Sequence, residues 1–193
     1  MSTVILASGG LDSTLMTVLA VEMGQPVYPL FINYGQLSAE KELSTCRNVY
    51  KKMRLPVPEV VDVSGYGKMF PCGLTSTSQN IYKDAFLPGR NLLFLLTGAT
   101  YAYRVKAKAV AIGLLNESYS FFPDQTEEFV GRAESFISDV LDYKIRVVAP
   151  LISFTKTDVV VLAKMKGVKG TYSCHSGKED PCGVCIACKE YSS

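Results

Sequence analysis

Short apolar runs alternate with longer stretches of helical period along nearly the whole chain, and that alternation predicts a layered α/β fold. Residues 3–7 (TVILA) read as a buried strand, because the run is short, partly β-branched and soon followed by glycine. Residues 13–23 are apolar almost all round and predict a buried helix that stops at Gly24. Residues 27–34 predict a second strand, with Pro29 near its start or at a sheet edge. A helix opening at Ser38 has Glu40 and Glu42 in its first turn and Leu43, Cys46, Tyr50 and Met53 on its inner stripe. Residues 59–63 form a third strand. Residues 64–87 keep no period and hold Gly, Pro, Ser and Thr; a loop of that length is functional or disordered. Then follow a helix at 91–103, a strand at 108–113, a loop at 114–122, a helix at 124–142 and a fifth strand at 144–148. The last helix, 155–166, has a capping-box start in Thr155 and Asp158 and a stop at Gly167. Strands alternating with helices predict a parallel five-stranded sheet with helices on both faces, with ligands beyond the carboxyl ends of the strands.

Composition narrows the class. Apolar residues make up 48% of the 193 residues and charged residues 20%, so a core is affordable and disorder is not expected. The length suits one α/β domain, placed at 1–168, with a small C-terminal motif at 169–193. A net charge of +2 is too small to mark a nucleic-acid or membrane surface. No apolar run reaches the length of about 18 residues that a spanning helix needs. The first residues show neither the basic region nor the cleavage site of a signal peptide. The expectation is a cytoplasmic protein with reduced thiols, where clustered cysteines point to a metal.

Between the first strand and helix lies SGGLDS, residues 8–13. Paired glycines let backbone N–H groups approach a ligand, and a helix start adds unpaired donors and a positive dipole end. Ser8 and Ser13 add hydroxyls. Two readings stand on the residues alone, a phosphate cradle and a tight strand-to-helix turn; neither the Walker nor the dinucleotide fingerprint is present. Asp12, an anion in that loop, either shares a cation with a polyanion or caps the helix.

A second signal is C-x7-C-x2-C-x2-C at Cys174, Cys182, Cys185 and Cys188. Four thiolates suit a closed, structural tetrahedral Zn²⁺ site; an iron–sulfur cluster is the rival, and nothing else in the chain suggests electron transfer. His175 is the only histidine and is not needed to complete a tetrahedron.

SGGLDS directly after the first strand resembles the pyrophosphate loop of the N-type ATP pyrophosphatases, which implies the adenine nucleotide alpha hydrolase-like fold. The ordered set is more specific. SGGLDS, LPGRNLLFL (87–95), FPDQTEEF (122–129), APLISFTKTD (149–158) and the cysteine tail together resemble the 7-cyano-7-deazaguanine synthase family over residues 3–189. The resemblance implies an ATP- and Mg²⁺-dependent ligase that adenylates 7-carboxy-7-deazaguanine and aminates it with ammonia toward amide and nitrile. It implies that Ser8, Gly9, Gly10, Leu11, Asp12, Ser13, Gln36, Arg90 and Asn91 hold ATP. Asp12, Lys156 and Arg90 are the catalytic candidates. Phe122 and Asp124, with Phe121, are the candidates for reading the heterocycle; Asp124 as a helix N-cap and the two phenylalanines as core are equally open.

The sequence departs from the family where the substrate is read. Leu37 and Ser38 stand where Arg-His is usual, and Ser118, Phe121-Phe122 and Gln125-Thr126 replace other family residues. A branch that joins the activated deazaguanine to a protein amine, as in antiviral defence systems, is therefore an alternative. So are a sulfur-transfer enzyme that adenylates tRNA, which needs a reactive cysteine from Cys46 or Cys72, and a non-catalytic binding module. A homodimer is compatible with any of them.

Overall fold

The computed structural model describes residues 1–116, 118 and 122–190; the expectation for Phe121 lies outside them. The elements run β1 (Thr3–Ala7), α1 (Leu11–Glu22), β2 (Val27–Asn33), α2 (Ala39–Lys52), β3 (Glu59–Asp62), α3 (Gly65–Met69), α4 (Arg90–Val105), β4 (Ala109–Ala111), a 3₁₀ turn (Pro123–Gln125), α5 (Glu127–Leu141), β5 (Arg146–Val148), α6 (Lys156–Met165) and α7 (Ile186–Glu190). The five strands form one parallel sheet in the order β3-β2-β1-β4-β5.

The period-2 alternation of β1 divides the core. Val4 and Leu6 pack with Leu95, Ala99 and Ala102 of α4 and Val130, Ala133 and Ile137 of α5. Ile5 and Ala7 pack on the other side with Leu15, Met16 and Val18 of α1, Cys46 and Tyr50 of α2, and Val159 and Ala163 of α6. Both faces are thus covered, which is why the central strands read as unbroken apolar runs. Pro29 sits in an inner strand, but ahead of the ladder to β3, which begins at Leu30, so its missing N–H costs little.

Several boundaries differ from expectation for local reasons. α1 starts at Leu11, two residues early, because the Gly10 carbonyl already accepts from the Thr14 N–H (3.2 Å) and the Thr14 hydroxyl (2.7 Å). Asp12 is therefore inside the first turn and not its cap; Gly10 is. Asp124 does not cap α5 either. It lies in the 3₁₀ turn, and Thr126 is the cap, its Oγ1 accepting from the Phe129 N–H at 3.1 Å. The Thr155–Asp158 capping box forms as expected. The stripe of α2 buries Cys46 and Tyr50, with Thr45 and Val49 beside them, while Leu43 and Met53 are only half-buried. Segment 64–87 contains α3 and then folds back on itself: the Gly73 N–H donates to the Asp84 carbonyl (2.7 Å). Cys72, Leu74, Ala85 and Leu87 enter the core on the α4 side.

β1 and β4 are adjacent, while their following helices α1 and α5 lie on opposite faces. This reversal opens a crevice at the carboxyl ends of the strands. The tail, 171–190, closes one side of it with its own small cluster of Tyr172, Cys174, Cys185, Ala187 and Cys188.

Candidate active site and metal centre

The crevice is a cleft of about 290 Å³. Its floor comes from residues at or just past strand ends: Ala7 and Ser8 after β1, Tyr34 and Gln36 after β2, Ile112 and Gly113 after β4. Of the residues expected to act on ATP, Ser8, Gly10, Leu11, Asp12, Ser13, Gln36, Arg90, Asn91 and Lys156 all line it. Gly9 lies behind it and shapes the loop.

The loop is tied internally. The Ser13 Oγ accepts from the Ser8 N–H (3.1 Å) and meets the Ser8 Oγ at 3.0 Å, and the Ser8 Oγ accepts from the Gly10 N–H (3.2 Å). Gly9 has φ +76, and its carbonyl accepts from the Tyr172 N–H of the tail at 3.0 Å. A Cβ on Gly9 would fall 2.6 Å from the Glu42 carbonyl oxygen and 2.9 Å from the Cys46 nitrogen, both backbone atoms of α2. Gly9→Ala should therefore lose more than the ~1–2 kcal/mol of the left-handed conformation alone, a fall in Tm of roughly 4–8 °C. Gly10→Ala, at φ −77 and facing the Ser8 and Ser173 hydroxyls, with the Tyr172 carbonyl at an ordinary 3.8 Å, should fall less in the same thermal melts; equal losses would show the loop is not pinned at Gly9.

Lys156 is 7% exposed and its Nζ lies 3.1 Å from both carboxylate oxygens of Asp12, 144 residues away. A lysine in the first turn opposes its helix dipole; this one sits there because an anion of another helix faces it. Arg90 begins α4 and lies over two rings, 6.0 Å from the Tyr34 centroid and 5.9 Å from that of Phe94. Those contacts hold the guanidinium over the cleft. Asn91 is buried and donates from Nδ2 to the Asp124 carbonyl (2.8 Å), while its N–H reaches the Asp124 Oδ2 (3.4 Å). Asp124 therefore braces the start of α4 and lines neither this cleft nor the cavity beside it.

Gln36 is also a brace. Its Oε1 accepts from the Tyr34 N–H (2.9 Å) and its Nε2 donates to Glu42 (3.0 Å), which also accepts from the Ser38 hydroxyl (2.8 Å). Burial raises the Glu42 carboxyl above the usual carboxylate range, against those hydrogen bonds and the Arg90 charge. Burial likewise pushes the Tyr34 phenol up to about 12, so it remains a hydroxyl donor. Tyr34, Glu42, Phe94, Gly113, Tyr172, Ser173 and His175 line the cleft without having been expected; only the tail residues had a signal, their closeness to Cys174.

A smaller cavity of about 120 Å³ adjoins the cleft, lined by Leu74, Ala85, Phe122 and Ile186. Arg90, Gln125, His175 and Ala187 line both spaces. Phe122 is backed by Phe86, ring centroids 4.9 Å apart.

In the tail, the four Sγ atoms of Cys174, Cys182, Cys185 and Cys188 lie within 4.8 Å of one another. A tetrahedral ion with Zn–S bonds of about 2.3 Å needs sulfur pairs about 3.8 Å apart, so the cluster fits one zinc ion. The sulfurs also collect backbone donors: Cys182 N–H to Cys174 Sγ (3.2 Å) and Cys188 N–H to Cys185 Sγ (3.4 Å). Burial resists ionisation of Cys174, but donors from Cys182 and Ser176 outweigh it and lower the thiol to about 6. All four protein ligands are used, so the centre has no open position for substrate. The tail docks on the start of α2, where a Cβ on Gly177 would meet the Leu37 carbonyl at 2.4 Å and Lys41 pairs with Glu179. Leu37 and Ser38 thus lie beneath the tail. The other two cysteines are buried: Cys46 is pushed up to about 12 by burial, and Cys72 is 2% exposed. Neither is a ready sulfur carrier. Among the described residues no helix is long and apolar enough to cross a membrane.

A parallel sheet with a glycine loop at its switch point, a Lys–Asp pair inside the cleft and a four-cysteine tail defines the class of PP-loop ATP pyrophosphatase folds. Solved structures of that shape agree. NMN synthetase from Francisella tularensis superposes with a TM-score of 0.58 at 16% identity, over 92% of this chain and 68% of that one. A 4-thiouridine synthetase in complex with RNA and bound ATP gives 0.57 at 17%, over 99% and 48%. Within the class, the chain belongs to the family described as "Queuosine biosynthesis protein QueC", which it matches over residues 2–192. Among curated relatives, the 7-cyano-7-deazaguanine synthase of Acetivibrio thermocellus is 34% identical, over 96% of this chain and 88% of that protein. That of Campylobacter jejuni is 29% identical, over 95% and 88%.

Proposed function

We propose that this protein uses ATP to convert 7-carboxy-7-deazaguanine to its amide and then to 7-cyano-7-deazaguanine. The substrate carboxylate attacks the α-phosphorus, pyrophosphate leaves, and an acyl adenylate remains. Ammonia attacks the acyl carbon and AMP leaves, giving the amide and a proton. Attack by the amide oxygen on the α-phosphorus of a second ATP expels pyrophosphate, and loss of AMP and the two amide protons gives the nitrile. The observation that carries this reading is the convergence of the 8–13 loop, the Asp12–Lys156 pair and Arg90 on one cleft, in a chain of this family.

Each residue has a physical task. The N–H groups at the start of α1 and the Ser8 and Ser13 hydroxyls bind phosphate oxygens. Lys156 and Arg90 face the charge that grows on the leaving pyrophosphate. Asp12 is the carboxylate that would hold Mg²⁺, which takes one or two carboxylates together with phosphate oxygens; such an ion, when bound, neutralises phosphate charge. The Zn²⁺ ligands Cys174, Cys182, Cys185 and Cys188 hold the tail that walls the cleft. Phe122 offers a face to a flat ring in the smaller cavity. Protein and ATP should catalyse ATP–pyrophosphate exchange only when both 7-carboxy-7-deazaguanine and Mg²⁺ are present, with amide and nitrile appearing by mass spectrometry once ammonia is added. No exchange with that acid or related deazaguanine acids would sink the proposal; a protein adduct in place of the nitrile would favour the protein-amine branch.

A further inference from the structure

The cleft and the smaller cavity share their polar rim, and one member of it is unsatisfied. His175 lines both spaces, and its Nδ1 is buried with no hydrogen-bond partner among the described residues. A buried polar atom left unpaired costs about 1–3 kcal/mol, so such atoms in folded proteins call for an explanation. Here the adjoining space is a flat-ring-sized cavity with apolar walls of Leu74, Ala85, Phe122 and Ile186. The histidine is not held by the domain's core. Its position in the chain directly follows the ligand Cys174, and its own N–H donates to the sulfur of Cys185. The metal centre therefore fixes the backbone from which the imidazole projects.

We infer that His175 is a specificity-determining residue: its Nδ1 pairs with a ring N–H or ring nitrogen of the heterocyclic acid seated in the smaller cavity, and the four-cysteine centre serves to aim it. The inference rests on the proposed function and extends it. The acid's ring lies against Phe122, its carboxylate points through the shared rim past Arg90 toward the ATP in the larger cleft, and His175 reads the ring edge at the rim. An apolar pocket alone rejects a ring of the wrong hydrogen-bonding pattern poorly, whereas a buried partner left unpaired rejects it well. The centre thereby does more than clamp the C-terminus, since its loss would misplace the group that reads the substrate.

The test compares His175→Phe, His175→Gln and His175→Asn. The Asn amide reaches the place of Nδ1; the Gln amide reaches that of Nε2. With the wild-type protein catalysing acid-dependent exchange, His175→Phe and His175→Gln should raise KM for the acid roughly tenfold or more. KM for ATP should stay within about twofold, metal content should stay at one ion per chain, and His175→Asn should recover most of the loss. The same split should appear in direct binding of the acid without ATP. Unchanged KM for the acid in His175→Phe, or equal losses for acid and ATP, would overturn the inference while leaving the proposed function intact. If His175→Phe loses metal, Asn against Gln decides, and equal behaviour of those two overturns it. Absence of exchange in the wild-type protein defeats the function reading and this one with it.

Discussion

Lys156→Met is expected to lower acid-dependent ATP–pyrophosphate exchange by about 10²- to 10³-fold, the usual loss for a preorganised charge-stabilising donor. Two effects act together. The cation facing the departing pyrophosphate is gone, and the Asp12 carboxylate, whose two oxygens now sit 3.1 Å from Lys156 Nζ, is left uncompensated beside an incoming polyanion. Lys156→Arg keeps the charge but replaces a compact ammonium with a planar fork, so an intermediate loss is expected. Asp12→Asn should abolish exchange, because it removes the carboxylate available to Mg²⁺ and the charge that faces Lys156 at 3.1 Å. If the pair acts as one unit, the double variant should be no worse than the worse single one. Exchange in Lys156→Met within about threefold of wild type would remove the lysine from the chemistry.

What the chain announced and what it concealed divide along the range of the interactions involved. Period and stop residues are local, and the five strands and the main helices could be read from them. The glycine loop and the cysteine tail are local too, since their residues lie within a few positions of one another. The Lys156–Asp12 pair spans 144 residues; the APLISFTKTD segment makes Lys156 a candidate, but nothing near it tells which anion it faces. Tyr34, Glu42 and Phe94 reach the cleft only because the parallel sheet delivers the end of β2 and the starts of α2 and α4 to one edge, which no short motif encodes. Asp124 is the converse case. Its motif is local, yet its side chain braces Asn91 across the fold, so a substrate contact and a helix cap were the two expectations and the structure offers a third role. The segment at 64–87 lacked a period because single residues, Cys72, Leu74, Ala85 and Leu87, anchor it in place of a regular face.

Stripping the metal with a chelator should damage the cleft as well as the tail. Structural zinc sites carry folding free energy outright, about 10–16 kcal/mol in small zinc-binding peptides, so the tail is expected to open when its ion leaves. That would free Tyr172, whose N–H holds the Gly9 carbonyl, and would withdraw Ser173, His175 and Ala187 from the cleft wall. Water would enter a site whose charges work best when it is excluded. The metal-free protein should therefore bind ATP roughly tenfold or more weakly and melt at lower temperature, both reversed by added Zn²⁺. Cys185→Ser should reproduce the pair of losses without a chelator, because Cys185 is fully buried and its sulfur accepts from the N–H groups of His175 and Cys188. A fall in Tm with unchanged ATP affinity would reduce the tail to a clamp remote from the chemistry. No change in either would show that the four cysteines hold no structural ion. The coupling expected here follows from chain geometry: the residues that lead into the first metal ligand are the same ones that line the nucleotide side of the cleft.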